Sequence, residues 1–70
     1  MQLYPVTSSN LDSVGYSDGV MRIRFKSGGL YEYHNITESV YTDLITASSV
    51  GKYFSDNIKD NPQYPCYQIS

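Results

Sequence analysis

The sequence predicts an α+β fold in which two short α-helices pack on one face of a three-stranded antiparallel β-meander. Apolar and polar residues alternate between positions 11 and 33, which is the period of a strand with one buried face. Two glycine-containing turns, Asp18-Gly19 and Gly28-Gly29, divide this region into three segments. Apolar residues between positions 38 and 58 follow helical spacing, so the second half of the chain can cover the sheet.

The first hairpin follows directly from its turn. Residues 2–7 are a short extended segment, which Pro5 restricts to an edge of the sheet or the approach to it, and residues 3–7 can add an edge strand. Residues 11–17 predict a strand, and Asp18-Gly19 is typical of a two-residue hairpin loop. That loop pairs the side chains of two strands: Ser17 with Val20, Tyr16 with Met21, and Val14 with Ile23.

The second turn decides which face of the sheet receives Tyr31 and Tyr33. A two-residue loop would place Glu32 opposite Ile23 and so put a carboxylate in the core. A three-residue loop of residues 27–29 pairs the tyrosines with apolar side chains instead: Tyr31 with Phe25 and Tyr33 with Ile23. We expect the longer loop, because an unpaired buried carboxylate is costly and three-residue hairpins favour glycine at the left-handed position.

Two capping signals predict where the helices begin. Thr37 is suited to cap the first helix, and Glu38 then lies near the positive end of the helix dipole. Ser48 or Ser49 can cap a second helix that runs to about Lys59. The expected apolar stripes are Val40, Tyr41, Leu44, Ile45 and Ser48 in the first helix, and Val50, Phe54 and Ile58 in the second.

Gly51 lies inside the second helix, where glycine costs about 1 kcal/mol relative to alanine. We expect that close contact with a neighbouring backbone requires it. Pro62 ends the helical region, and residues 63–70 form a tail that either packs back on the domain or is loose.

The residue types exclude several kinds of chemistry. Cys66 and His34 are the only cysteine and histidine, so the sequence offers no disulfide and no metal-ligand cluster. A nucleophile also needs a base positioned beside it, and no motif supplies one. We therefore expect no cofactor, no metal and no enzymatic activity, and we place hydrolase or nuclease activity third among the functional hypotheses.

Charge and hydropathy restrict the partners. There is no basic-then-apolar leader, and no apolar run approaches the roughly 20 residues of a membrane span. A single cysteine fits a reducing compartment, so we expect a soluble cytoplasmic protein without membrane contact. The net charge of −2 and the pI near 4.9 argue against indiscriminate nucleic-acid binding, which depends on many phosphate contacts.

A row of basic side chains is the leading candidate for a binding surface. Arg22, Arg24 and Lys26 alternate along the second strand and share the face that points away from the helices. Glu32 and His34 lie beside them on the third strand. The row can contact phosphates, and His34 can stack on unpaired bases. The alternative is an ordinary solvated face with weak Arg-Glu cross-strand pairs.

A second candidate lies at the start of the second helix. Ser48, Ser49, Gly51 and Lys52 are placed there beside free backbone amides, which attract anions. The segment lacks the upstream glycine of a nucleotide-binding loop, so we expect capping and close packing, with Lys52 kept as a candidate partner contact.

Five segments share a pattern with a known family. They are Val6-Thr7-Ser8-Ser9, Gly15-Tyr16, the strand ending at Phe25, Gly29-Leu30-Tyr31-Glu32-Tyr33, and Ala47-Ser48-Ser49-Val50-Gly51-Lys52-Tyr53-Phe54 with Ile58. In this order they resemble the KTSC domain, which is named for its occurrence at the C-terminus of some lysyl-tRNA synthetases. The family also occurs as free-standing small proteins in bacteria and phages. Its members often carry a proline before the first long helix, where this chain has Thr37.

The resemblance covers about residues 6–59 and implies a single domain over residues 1–70, with a tail at 60–70. It implies structural roles for the matching residues Tyr16, Phe25, Tyr31, Tyr33, Ser49, Gly51 and Phe54. Together with the basic row, it predicts a small non-enzymatic binding module whose partner is RNA, tRNA or a tRNA-associated protein. The alternative is a protein-interaction module or a phage-encoded modulator of a host protein, favoured by the acidic pI and the eight tyrosines. A homo-oligomer is compatible with either.

Overall fold

The computed structural model describes residues 1–70 and contains five strands and two helices. In chain order they are β1 (Tyr4–Pro5), β2 (Leu11–Ser17), β3 (Val20–Phe25), β4 (Leu30–Tyr33), α1 (Glu38–Ile45), α2 (Val50–Asn57) and β5 (Cys66–Gln68). The strands form one antiparallel sheet in the order β1-β2-β3-β4-β5. The α+β class and the two helices are confirmed, but the three-stranded sheet is wrong, because a short strand is added at each edge.

The two added strands come from opposite ends of the chain. β1 pairs Tyr4 with Val14, where the sequence allowed an edge. β5 pairs Cys66 with Tyr33, so the C-terminal tail packs back as a strand. Three residues behind a proline give too little alternation to predict a strand, and the pairing with β4 depends on contacts distant in sequence.

The first hairpin has the predicted register, with Ser17 opposite Val20 and Tyr16 opposite Met21. Asp18 and Gly19 both have positive φ, at 50° and 83°, as a two-residue type I′ turn requires. The register shifts between Leu11 and Ser13, which makes the intervening residue a β-bulge. The bulge brings Leu11 into the buried cluster despite its odd spacing from Val14.

The second hairpin has a three-residue loop, but its predicted position and register were wrong. The backbone N–H of Phe25 donates to the Gly29 carbonyl at 2.9 Å, which makes residues 26–28 the loop. Tyr31 therefore lies opposite Ile23, and Tyr33 lies opposite Met21. The Lys26 N–H donates to the Asn10 carbonyl at 2.9 Å, so Lys26 pairs with the loop before β2 and not with β4. A shift of two residues preserves the face, and both tyrosines remain on the side covered by the helices.

The core lies between this face of the sheet and the helices. Its ten buried residues are Leu11, Val14, Met21, Ile23, Tyr33, Ile36, Leu44, Val50, Phe54 and Ile58. The stripe predicted for α2 is buried as expected, with the Phe54 ring centroid 5.4 Å from that of Tyr33 and 5.5 Å from that of Phe25. In α1 only Leu44 is buried, whereas Ile45 is exposed. Neither eight-residue helix has the length or apolar character needed to cross a bilayer.

Both helix caps form as predicted. The Thr37 hydroxyl accepts a hydrogen bond from the Val40 N–H at 3.2 Å. Ser49, the second of the two candidate serines, accepts from the Lys52 N–H at 3.2 Å. A Cβ atom on Gly51 would lie 2.8 Å from the Asn10 Oδ1 atom. The close contact expected at Gly51 is therefore present, but the neighbour is a side chain of the loop before β2 and not a backbone.

Candidate nucleic-acid interface

The outer face is the side of the sheet that points away from the helices, on β3, β4 and β5. Strand alternation places Arg22 and Arg24 on this side of β3. Glu32 lies opposite Arg22 on β4, and Tyr67 lies opposite Glu32 on β5. Basic, acidic and aromatic side chains therefore meet within three adjacent strands.

Arg22 and Glu32 form an ion pair across β3 and β4. The Nε atom of Arg22 donates to Oε2 of Glu32 at 2.7 Å, and Oε1 of Glu32 lies 3.1 Å from Nε2 of His34. Only 17% of the Glu32 side chain is exposed. The hydrogen bond from Arg22, followed by the contact with His34, lowers the pKa of Glu32 below its ordinary value. Glu32 thus neutralises Arg22, as the alternative of a paired, solvated face predicted.

Arg24 is the unpaired cation of the outer face. It is exposed and forms no salt bridge with any acidic side chain. Its neighbours in the sheet are Ser13 on β2 and Leu30 on β4, neither of which carries a charge. A guanidinium in this position is free to bind an anion of a partner.

Tyr67 adds an aromatic ring that the sequence pattern did not place on this surface. Its side chain is 55% exposed, and its ring meets the ring of His34 edge-on with 5.0 Å between centroids. The segment after Pro65 does contain strand-compatible residues, which is the one local signal that could have found it. The outer face therefore carries two stackable rings beside two guanidinium groups.

The N-terminal segment limits how far this surface extends. A Cβ atom on Gly15 of β2 would collide with the carbonyl oxygen of Gln2 and would lie 2.9 Å from the Leu3 side chain. Because Gly15 points to the outer face, residues 1–3 cover the sheet there. The face that points away from the helices is therefore covered in this part, and its open surface is confined to β3, β4 and β5.

Two predicted basic contacts lie elsewhere. Lys26 follows β3 in the turn and lines a groove on the helix side of the sheet, so it does not extend the row of Arg22 and Arg24. Lys52 lies on α2, where its Nζ atom is 2.7 Å from Oδ2 of Asp56. The hydrogen bond to Asp56 raises the pKa of Lys52. The predicted set of five partner contacts is therefore divided among three places.

The groove is the largest concave feature, with a volume of about 820 Å³. Lys26, Lys59 and Asp60 are among the residues that line it. Aromatic side chains of β3, β4 and α2 also line it, namely Phe25, Tyr31, Tyr33 and Phe54. Burial of Tyr33 raises the pKa of its hydroxyl, and the neighbouring Cys66 thiol raises it further. Four of the seven residues that the family pattern marks as structural thus line the groove as well as packing in or against the core.

The remaining structural residues have clear packing roles. The Tyr16 ring stacks on Tyr41 with 5.0 Å between centroids, and its hydroxyl donates to the Ile36 carbonyl at 2.7 Å. This contact holds the corner between β4 and α1 against the sheet.

No three His, Cys, Asp or Glu side chains converge in an arrangement that could hold a metal ion.

Comparisons with known proteins agree with the sequence pattern. The sequence profile of the KTSC domain matches residues 7–64. A protein of Tsukamurella paurometabola is 30% identical over 59 residues, which cover 81% of this chain and 88% of that protein. A protein of Stutzerimonas stutzeri is 33% identical over 69 residues, which cover 96% and 94% respectively. The crystal structure of a KTSC domain protein from Yersinia pestis superposes with a TM-score of 0.88 at 32% identity, covering 99% of this chain and 97% of that one.

Proposed function

The chain belongs to the KTSC domain family, and from this premise we propose that it is a small, non-enzymatic binding module that takes single-stranded RNA on its outer face. One observation carries the proposal. The exposed Tyr67 ring lies against His34 on the same face as the unpaired Arg24. Unpaired bases stack on such rings, while guanidinium groups contact the phosphates that link them.

The charge distribution supports single strands as the ligand class. A strand of unpaired bases needs few phosphate contacts when rings supply stacking energy, whereas duplex binding depends on many. The protein has a net charge of −2, and the Arg22 guanidinium is already paired with the Glu32 carboxylate. We therefore expect modest affinity. A plot of the logarithm of the binding constant against the logarithm of the salt concentration should have a slope of about −0.7 for each phosphate contacted.

The positions of the reactive side chains support a non-enzymatic role. Cys66 shares the helix side of the sheet with Tyr33, whereas His34 contacts Glu32 and Tyr67 on the outer face. The sheet therefore separates the thiol from the only imidazole, and a thiol nucleophile needs such a base. The protein's single cysteine is a free thiol, which fits a reducing compartment such as the cytoplasm.

A titration of fluorescein-labelled, uridine-rich single-stranded RNA tests the proposal by fluorescence anisotropy. Arg24→Glu should weaken binding at least several-fold, because it places a negative charge beside the phosphates. Lys52→Glu is the matched control, since it makes the same change in net charge on α2. Equal affinities for the wild type and Arg24→Glu, or equal losses in both variants, would reject the outer face as the RNA site.

Protein interaction is the second candidate function, and the groove favours it. The groove is concave and lined by aromatic side chains together with Lys26, Lys59 and Asp60, as a pocket for the side chains of a peptide would be. Affinity purification from the native cell, with and without ribonuclease, separates the two candidates. Partners that survive ribonuclease treatment and are lost in Phe25→Ala would support the groove, whereas recovery of RNA alone would count against it.

A further inference from the structure

β5 is an edge strand whose outward backbone groups are free. The His34 N–H donates to the Pro65 carbonyl at 2.9 Å, and the Ile69 N–H donates to the Leu30 carbonyl at 2.9 Å. Along an antiparallel strand the backbone groups of successive residues point alternately towards and away from the neighbouring strand. The odd-numbered residues from Pro65 to Ile69 therefore direct their backbone hydrogen-bonding groups towards β4. Cys66 and Gln68 therefore turn their N–H and C=O groups away from β4, and no strand lies beyond β5.

The two edges of the sheet differ in how they are protected. β1 has only two residues, and one of them is Pro5, which cannot donate to a further strand. The side chains of residues 66–70 carry no charge, and Cys66–Gln68 pair with β4 in regular register. Pro65 lies just before this strand, and a bulge lies just after it, where the N–H groups of Ile69 and Ser70 both donate to the Leu30 carbonyl. Natural edges are usually blunted by lysine, proline or a bulge, and none of these lies within Cys66–Gln68, so this part of the edge is suited to pair with another strand.

We propose that β5 pairs antiparallel with β5 of a second copy of this chain, about a two-fold axis that passes between the two Tyr67 residues. In this register Cys66 of one copy lies opposite Gln68 of the other, and Tyr67 lies opposite its own equivalent. The outward groups of Cys66 and Gln68 then make about four interchain hydrogen bonds, two for each hydrogen-bonded pair. A self-complementary arrangement of this kind is what a two-fold interface requires.

The exposed side chains of Tyr67 in β5 and of Ile69 just after it favour a second copy over an unrelated strand. Tyr67 is 55% exposed and Ile69 is 43% exposed, and both lie on the outer face. In the proposed register the two Tyr67 rings are neighbours across the axis, and each Ile69 lies opposite Pro65 of the other copy. The pairing therefore brings the two Tyr67 rings beside each other and places each Ile69 against a proline of the other copy. Because the strand is short, we expect the dimer to be weak and to form with rising concentration.

The arrangement extends the outer face across both copies. A two-fold axis perpendicular to the sheet keeps both outer faces on the same side, with the two Tyr67 rings at the centre and one Arg24 on each flank. For RNA this consequence rests on the function proposed above: a strand long enough to contact both copies should bind more tightly than a short one. The pairing itself does not depend on RNA.

Single-cysteine variants test the register without RNA present. In a Cys66→Ser background, Tyr67→Cys should form an interchain disulfide under mild oxidation, because residues that face each other lie within the Cα separation of about 4.4–6.8 Å that a disulfide needs. Ile69→Cys is the control, since it lies opposite Pro65 and about four residues from its own equivalent. Crosslinking confined to position 67 is expected. Equal crosslinking at both positions, or none at position 67, would overturn the proposal.

Sedimentation velocity gives an independent readout that does not alter the outer-face rings. Gln68→Pro removes an outward N–H and leaves the bonds to β4 in place, so it should shift the protein from dimer towards monomer at a given concentration. Circular dichroism checks that the variant keeps its fold. A folded Gln68→Pro that sediments like the wild type, or a wild type that remains monomeric at every concentration, would contradict the β5 pairing.

Discussion

The Tyr67 ring on β5 lies edge-on against the His34 ring after β4, with an interplanar angle of 82° and 5.0 Å between centroids. His34 in turn contacts Glu32, which holds Arg22. These contacts connect β3, β4 and β5 across the outer face. A ligand that stacks on Tyr67 therefore meets a surface whose side chains are already held in place by their neighbours.

Loss of the exposed ring should weaken RNA binding without affecting stability. Tyr67→Ala removes one stacking platform, and we expect a loss of about 1–3 kcal/mol in binding free energy for single-stranded RNA. Fluorescence anisotropy measures this loss, and thermal unfolding should be nearly unchanged. Tyr4→Ala is a matched control, because Tyr4 is also 55% exposed but lies on the opposite edge of the sheet. Equal losses in both variants would contradict a specific role for Tyr67.

The ion pair of Glu32 should make stability depend on acid pH. The pKa of Glu32 is lowered in the folded state by Arg22 and then by His34, so its stabilising contribution is present above the ordinary value of 4.5. That contribution is lost as the pH falls through the lower, folded-state pKa. Urea unfolding at several pH values should show this loss in the wild type and a smaller loss in Glu32→Gln. Asp43→Asn, which removes an exposed carboxylate without an ion pair, should follow the wild-type curve.

Tyr33 should contribute to the loss of stability at alkaline pH. Burial raises the pKa of Tyr33 in the folded state, so its contribution is complete below the ordinary value of 10.0 and declines as the pH rises above it. Tyr33→Phe removes the titrating hydroxyl and should flatten the alkaline part of the curve. Chemical unfolding across this range measures the effect. A variant as sensitive to alkali as the wild type would assign the decline to other groups.

The N-terminal segment should tolerate no side chain at position 15. Gly15→Ala places a Cβ atom against the Gln2 carbonyl, and overpacking of this kind costs about 1–3 kcal/mol of stability. The same substitution in a variant lacking residues 1–3 should cost much less. Gly51→Ala is a second control, because its Cβ would meet the movable end of the Asn10 side chain while the helix gains about 1 kcal/mol in propensity. Urea unfolding of the wild type and these four variants gives each difference, the variant lacking residues 1–3 serving as the reference for Gly15→Ala in that background.

Local signals explain what the sequence predicted correctly. The Asp18-Gly19 turn fixes the first hairpin by itself, because its conformation allows one pairing. Thr37 and Ser49 cap the helices through hydrogen bonds to residues three positions later. These features depend on neighbours in sequence, so the pattern of residue types was sufficient.

Distant contacts explain what the sequence did not predict. The backbone of Lys26 bonds to Asn10, which moves the second turn by one residue and the register by two. β5 exists because Cys66 and its neighbours pair with β4 from more than thirty positions away. Arg22 and Arg24 were placed on the outer face correctly because strand alternation is local. Tyr67 was missed and Lys26 was assigned to the wrong side because their positions depend on distant contacts.

Proton-nitrogen correlation spectra of the labelled protein, recorded during a titration with uridine-rich single-stranded RNA, test the central claim most directly. If the outer face is the binding surface, the shifting backbone signals will be those of Arg22, Arg24, His34 and Tyr67, with α2 unaffected. Shifts confined to the residues that line the groove, or no shifts at saturating RNA, would contradict it.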